Sequence, residues 1–370
     1  MAKSAEFLKN YSTKRIIVTS DLYRVDDRVQ DLVAPPAAIN TKWIYEILGV
    51  LAGNITSLPV VPLLEFAYPD PLSRVAVYRR LCREFSSAGW ASIFDDINDS
   101  TLEDQIAARF ENSLVIAYEL PPYLLRILQR HDIPYIDFFL HPVRFLPDYM
   151  FGARSNVRSI YDRIVETSVP DALISEFTRI SAGRTARMHR SKEPFAGSVV
   201  FFGQIGVDSS LISDGQLASI DDVENALCEL SADHPNIYYK PHPHVENAEV
   251  LKARFSKISN LKWVDWNSYD ILAMRQLASV SSLSSGTLTE ARYFDMPSKR
   301  FLPSRRNIPD QDWTVEQSFE AQVYYPVPPA IFREGYLSYL IGLHETAPPL
   351  ELPDPCEGAL KFSLAMKWGR

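Results

Sequence analysis

The sequence predicts an α/β protein of two doubly wound domains facing a central cleft, on three observations. The chain has 370 residues, more than one hydrophobic core ordinarily serves. Short apolar, β-branched runs alternate with longer stretches of helical period, the pattern of parallel strands covered by helices. A polar, punctuated stretch at 190–197, with Ser191, Lys192, Pro194 and Gly197, suits an interdomain connection.

In the first half, strands are expected at 15–19, 58–63, 113–118 and 135–140, and helices at 42–51, 71–85, 102–110, 123–130, 156–166 and 173–190. The second series has strands at 198–202, 236–240, 261–264, 280–283 and 298–301, with helices at 220–230, 271–277, 287–294 and 329–343. Pro329 suits the start of that last helix, where a missing N–H costs nothing. The expected domains are thus 1–190 and 191–343, both Rossmann-like, with a Pro-rich tail at 344–370 that packs back or stays peripheral.

Composition narrows the function classes. Apolar residues make up 46% and charged residues 23%, which argues for a folded globular chain. A net charge of −8 speaks against an extended nucleic-acid surface, which needs a basic face, but leaves room for a small anionic ligand. Cys82, Cys228 and Cys356 are far apart and suggest neither a disulfide framework nor a zinc site. The first residues lack a secretory signal and no run of about 18 apolar residues occurs, so the expectation is a cytoplasmic protein with at most peripheral contact at the inner membrane. The candidate for that contact is 358–370, where Leu360, Phe362, Leu364, Met366 and Trp368 fall at every second position and suit a strand or extended tail.

Four segments carry candidate chemistry. In Tyr239-Lys240-Pro241-His242-Pro243-His244 a strand ends in prolines that hold His242 rigidly, where it can donate to a phosphate oxygen. Ser281-Ser282-Leu283-Ser284-Ser285-Gly286-Thr287 joins a strand to a helix start through a hydroxyl-rich turn suited to phosphate, and Glu290, one turn inside, suits ribose hydroxyls. Gly203-Gln204-Ile205-Gly206-Val207-Asp208-Ser209-Ser210 leads from a strand to a carboxylate placed to reach an anomeric carbon. In the first domain, Glu119 and Asp137 lie at strand ends among aromatics, where burial would raise a carboxyl pKa into the range of a general acid/base. Arg144 suits a sugar carboxylate, and Asp21 and Arg24 follow the first strand, where the first βα loop meets the cleft. Each segment also has a plain reading: a turn, a capped helix, a capping aspartate or a structural ion pair.

Taken together, Gly203-Gln204 with Asp208-Ser209-Ser210, then Lys240-Pro241-His242-Pro243, then Ser281-Ser282 through Thr287 and Glu290, resemble the bacterial retaining β-Kdo transferases of capsule and O-antigen assembly. The His-Pro and Ser-Ser pairs are also similar to those of bacterial GT-B sialyltransferases. The resemblance covers the second domain, and the first chiefly through 119–145. It implies a GT-B fold with an acceptor-side first domain and a donor-binding second domain, a CMP-β-Kdo donor, a lipid-linked or oligosaccharide acceptor, and no cofactor or metal. Asp208 would be the nucleophile and His242 the donor-phosphate ligand. Lys240, Ser281, Ser282, Ser284, Ser285, Gly286, Thr287 and Glu290 would hold phosphate and ribose, and Gln204, Arg24 and Arg144 the sugar. The first-domain acid would be Asp137, with Glu119 second. A ketosugar leaving CMP passes through an oxocarbenium-like state, and retention asks for two displacements. Alternatives are an inverting CMP-sialic-acid-type transferase, a non-catalytic nucleotide-binding module of polysaccharide assembly, and a GT-B enzyme with a UDP donor.

Overall fold

A six-stranded and a five-stranded sheet organise the computed structural model, which describes residues 6–27, 36–188, 195–245, 248–309, 314–348 and 359–367. In chain order the strands are β1 (Arg15–Thr19), β2 (Val60–Pro62), β3 (Ser113–Tyr118), β4 (Tyr135–Leu140), β5 (Phe151–Ser155), β6 (Val199–Phe202), β7 (Ile212–Ser213), β8 (Gln216–Leu217), β9 (Ile237–Lys240), β10 (Leu261–Trp263), β11 (Ser279–Ser282), β12 (Ser298–Arg300) and β13 (Tyr325–Val327). The expected α/β class is what the structure has.

The first unit comprises Met1–His141, Pro147–Val169 and Arg306–Arg370, with sheet order β13-β5-β4-β3-β1-β2. Strands β1 to β4 are parallel, whereas β5 and β13 join antiparallel. All six side chains of β3 and of β4 are buried, as strands covered on both faces require. One face packs Ile16, Val18, Ile116 and Phe138 against Trp43, Ile160 and Leu337. The chain reverses its spread across the sheet between β1 and β3, so the crevice of such a sheet lies at their carboxyl ends.

The second unit comprises Pro142–Leu146 and Pro170–Arg305. Its sheet, β10-β9-β6-β11-β12, is parallel throughout and runs third-second-first-fourth-fifth in chain order, the doubly wound order of dinucleotide-binding domains. Val200, Phe202, Val280 and Leu288 fill one side, and Val199, Phe201, Leu227 and Tyr239 the other. Here the reversal falls between β6 and β11.

Several expectations are corrected. The boundary near 190 gives way to a chain that crosses more than once. The helix Asp171–Met188 belongs to the second unit, tied there by Thr185 Oγ1 donating to Asp270 at 2.9 Å and by the Tyr293 hydroxyl donating to Asp171 at 2.7 Å. Residues from Arg306 onward return to the first, where Val327, Leu337 and Leu340 join its core. Residues 189–194 of the expected connection, and 349–358 and 368–370 of the tail, lie outside the described residues. The tail contains a helix, Ala359–Lys367, rather than a strand: Leu364 is buried in the first core, Ser363 Oγ accepts from Trp43 Nε1 at 3.1 Å, and Met366 is exposed. The helix expected at 271–277 is Ser268–Leu272, started earlier by the Asn267 cap, and that at 71–85 is confined to Arg74–Arg80. Among the described helices, none is long and apolar enough to cross a membrane.

Candidate functional site

A polar cluster of the second unit sits at the carboxyl ends of β6 and β11, where its sheet order reverses. Gln204 leaves β6 two residues past its end, and its carboxamide is held from both sides. Its Oε1 accepts from the Ser284 amide at 2.7 Å and from Ser282 Oγ at 3.0 Å. Its Nε2 donates to Ser284 Oγ at 3.0 Å, and Ser284 Oγ donates in turn to Ser210 Oγ at 3.2 Å. Gly203 permits this approach: a Cβ there would stand 2.4 Å from the Tyr239 hydroxyl. Ser285 Oγ accepts the Thr287 amide at 3.2 Å and donates to Thr287 Oγ1 at 3.2 Å, which shapes the turn, and Gly286 is exposed at its tip.

Asp208 adjoins the cluster through Ser210, whose amide it accepts at 2.8 Å while capping the single 3₁₀ turn Ser209–Leu211. From β9, beside β6, come Lys240 and His242. Lys240 is buried, and that burial pushes its pKa down against the pull of Asp265. His242 is half-buried, and its Nδ1 accepts the His244 amide at 3.2 Å, which leaves Nε2 as the proton-bearing nitrogen of the neutral ring.

Three assignments change. Ser281 is registered with Phe201, on the face opposite Ser282, and its Oγ is sealed in the interior without a hydrogen-bond partner among the described residues, so it lines no turn. Glu290 is buried and accepts the Arg144 amide at 2.8 Å; burial pushes its pKa up to about 7, against hydrogen bonds from that amide and Tyr269 and the charge of Arg144. Its carboxylate fastens 142–146 rather than a ribose. Arg144 belongs to this same unit, with an exposed side chain.

In the first unit, Asp137 is fully buried and fully used. Its Oδ2 accepts from Arg154 Nε at 3.0 Å and Nη2 at 2.8 Å and from the Tyr324 hydroxyl at 2.5 Å, and its Oδ1 from the Leu120 amide at 3.1 Å. It is a structural ion pair tying β4 to β5, sealed from any substrate. Glu119 is half-buried, pairs with Arg306 at 2.8 Å, and has φ of +54°, a left-handed conformation uncommon for glutamate, at the end of β3. Arg24 lies over the Trp90 ring at 4.9 Å. Trp90 Nε1 donates to the buried Asp21 at 2.7 Å; the Tyr23 amide and Tyr123 hydroxyl complete that carboxylate's contacts, and burial raises its pKa.

Sequence reasoning missed Arg300, at the end of β12. Its Nη1 donates to the Ser284 carbonyl at 3.0 Å, and it is half-buried. A Ser-Lys-Arg run reads as solvated, and the pairing of Ser282 with Arg300 in the register is what places it at the cluster.

No protein-family model matches the sequence, and no curated protein resembles it significantly. Among solved structures, the chain is similar to KpsC of Thermosulfurimonas dismutans, a beta Kdo 2,7 transferase, at 12% identity over 84% of this chain and 92% of that one, with a TM-score of 0.40. It is also similar to the UDP-GlcNAc 2-epimerase of Neisseria meningitidis, at 11% identity over 97% and 100% with a TM-score of 0.28. The Methanocaldococcus jannaschii UDP-GlcNAc 2-epimerase follows at 10% identity over 96% and 100%, with a TM-score of 0.25. Likenesses this distant leave the function to be argued from the residues.

Proposed function

We propose that the second unit binds a CMP-activated acidic sugar and that the chain is a retaining β-Kdo transferase, moving Kdo from CMP-β-Kdo to a bacterial surface glycan. The observation that carries this reading is the Gln204–Ser282–Ser284–Ser210 cluster where β6 and β11 part, the point at which a doubly wound sheet takes its ligand. Hydroxyls and amides there, with Lys240 and His242 from β9, are donors matched to a phosphate.

In the proposed reaction the Asp208 carboxylate attacks the anomeric carbon as the bond to the CMP phosphate oxygen breaks, and CMP leaves with the electron pair, His242 donating to it. An acceptor hydroxyl then displaces Asp208, losing its proton to a base. Of the two first-unit acids considered, Asp137 is sealed in its ion pair with Arg154 and Glu119 is paired with Arg306.

Titration with CMP, UMP and UDP should show preference for CMP, and Gln204→Ala should weaken CMP about tenfold, the worth of roughly one hydrogen-bonded anchor. Intact-mass measurement after mixing with CMP-Kdo should show a covalent sugar adduct that Asp208→Ala abolishes. Transfer without an adduct would favour the inverting scheme, CMP binding without turnover a non-catalytic module, and absence of cytidylate binding would overturn the proposal.

A further inference from the structure

One register row crosses the second sheet at its carboxyl edge. Lys240 on β9 pairs with Phe202 on β6; Ser282 on β11 lies beside Phe202, whose carbonyl accepts its Oγ at 2.8 Å, and pairs with Arg300 on β12. Registered residues of a parallel sheet share a face, so two cations stand on one face, three strand spacings or about 14 Å apart at their Cα atoms, with the Gln204–Ser284 cluster between.

Arg300 lacks the carboxylate that several other inward-lying arginines of this molecule have. Arg154 is paired with Asp137, Arg74 with Glu65 and Arg306 with Glu119. Arg300, half-buried, has no carboxylate partner among the described residues: its one hydrogen bond goes to the Ser284 carbonyl, and burial draws its pKa down. Lys299, one residue earlier on the opposite face, is paired with Glu229 and exposed. A guanidinium removed from water without a counter-charge is costly, and the fork left after one donor is committed matches a planar carboxylate.

We propose that Arg300 binds the carboxylate of the transferred sugar, so that the second unit reads two separate negative charges: a phosphate at the serine turn and Lys240, and a sugar acid at Arg300. Arg300 is then the specificity residue that separates acidic from neutral nucleotide sugars. The inference rests on the donor reading above and names what that site discriminates.

The test titrates wild type, Arg300→Gln and Arg300→Lys with CMP and with CMP-Kdo. In the wild type CMP-Kdo should bind more tightly than CMP. Arg300→Gln should lower CMP-Kdo affinity about 30-fold and CMP affinity less than threefold, with Arg300→Lys in between, because a point charge replaces the fork. Retained CMP affinity reports that the Ser284 turn is intact. An equal loss for both ligands assigns Arg300 to the phosphate or to the fold, and no loss for either makes it a solvated side chain; each overturns the inference while the donor reading stands. If wild type binds neither ligand, the donor reading itself fails.

Discussion

The two sheets reverse their strand order at comparable points, β1 with β3 in the first unit and β6 with β11 in the second, yet they finish those points differently. In the first, the chain completes its own chemistry: Asp21 is buried and receives Trp90, Tyr123 and the Tyr23 amide, and Glu119 has Arg306. In the second, neutral donors and acceptors are tied together around Gln204, while Arg300 stands beside them without a carboxylate partner among the described residues and Lys240 has the charge of Asp265 set against its burial. Side chains that answer one another make an interior. A half-buried guanidinium beside a hydroxyl cluster, without a carboxylate among the described residues, makes a place for an anion from outside.

The sharpest way to break that contrast is to make the first unit behave like the second. Arg154→Met removes the cation from a fully buried Asp137 and leaves its charge without compensation. The expected loss is about 3–5 kcal/mol of stability, measured as the denaturant midpoint of the first unit. Arg154→Met together with Asp137→Leu should recover much of it, because replacing both partners removes the orphaned charge. If the single variant melts like wild type, the ion pair is not what closes that sheet.

Next in size is a pH effect in the second unit. Glu290 has a folded pKa near 7 against an ordinary 4.5, so between those values the folded protein holds a proton that the unfolded chain has lost. Stability from this group is therefore present below about pH 4.5 and falls as pH rises toward 7, by up to about 3 kcal/mol. Glu290→Gln, which cannot ionise, should flatten the melting temperature across that interval and raise it at pH 8. An unchanged slope would mean that the carboxyl is better solvated than its burial beneath 142–146 implies.

How much of this was legible from the residues depends on what kind of order was asked for. β3 and β4 could be bounded to the residue because six consecutive apolar-rich positions are buried on both faces. β5 could not: Phe-Gly-Ala-Arg-Ser follows neither strand period, and it is a strand because Arg154 reaches Asp137 and because Gly152 leaves room for the Phe139 ring, which a Cβ would meet at 1.9 Å. The serine turn and Gln204 were visible as chemistry because hydroxyls and a carboxamide cluster in sequence beside strand ends. Arg300 and the fate of Glu290 were not, since both depend on long-range register and on a five-residue segment, 142–146, that packs with a unit other than the one its sequence neighbours join.

The smallest expected effect separates two adjacent serines. Alternation along β11 sends Ser282 toward Gln204 and Ser281 into the packed side of Phe201, where its hydroxyl has no partner among the described residues. Ser282→Ala should weaken CMP several-fold, since it removes one of the groups that orient the Gln204 carboxamide. Ser281→Ala should leave CMP affinity within twofold and stability unchanged or slightly raised, because it removes a buried hydroxyl that satisfies nothing. Calorimetry with CMP and a melt of each variant decide it. Equal losses in the two would mean that the pair acts as a unit, and the contrast between a closed interior and an open ligand site would then have to be drawn one residue earlier on β11.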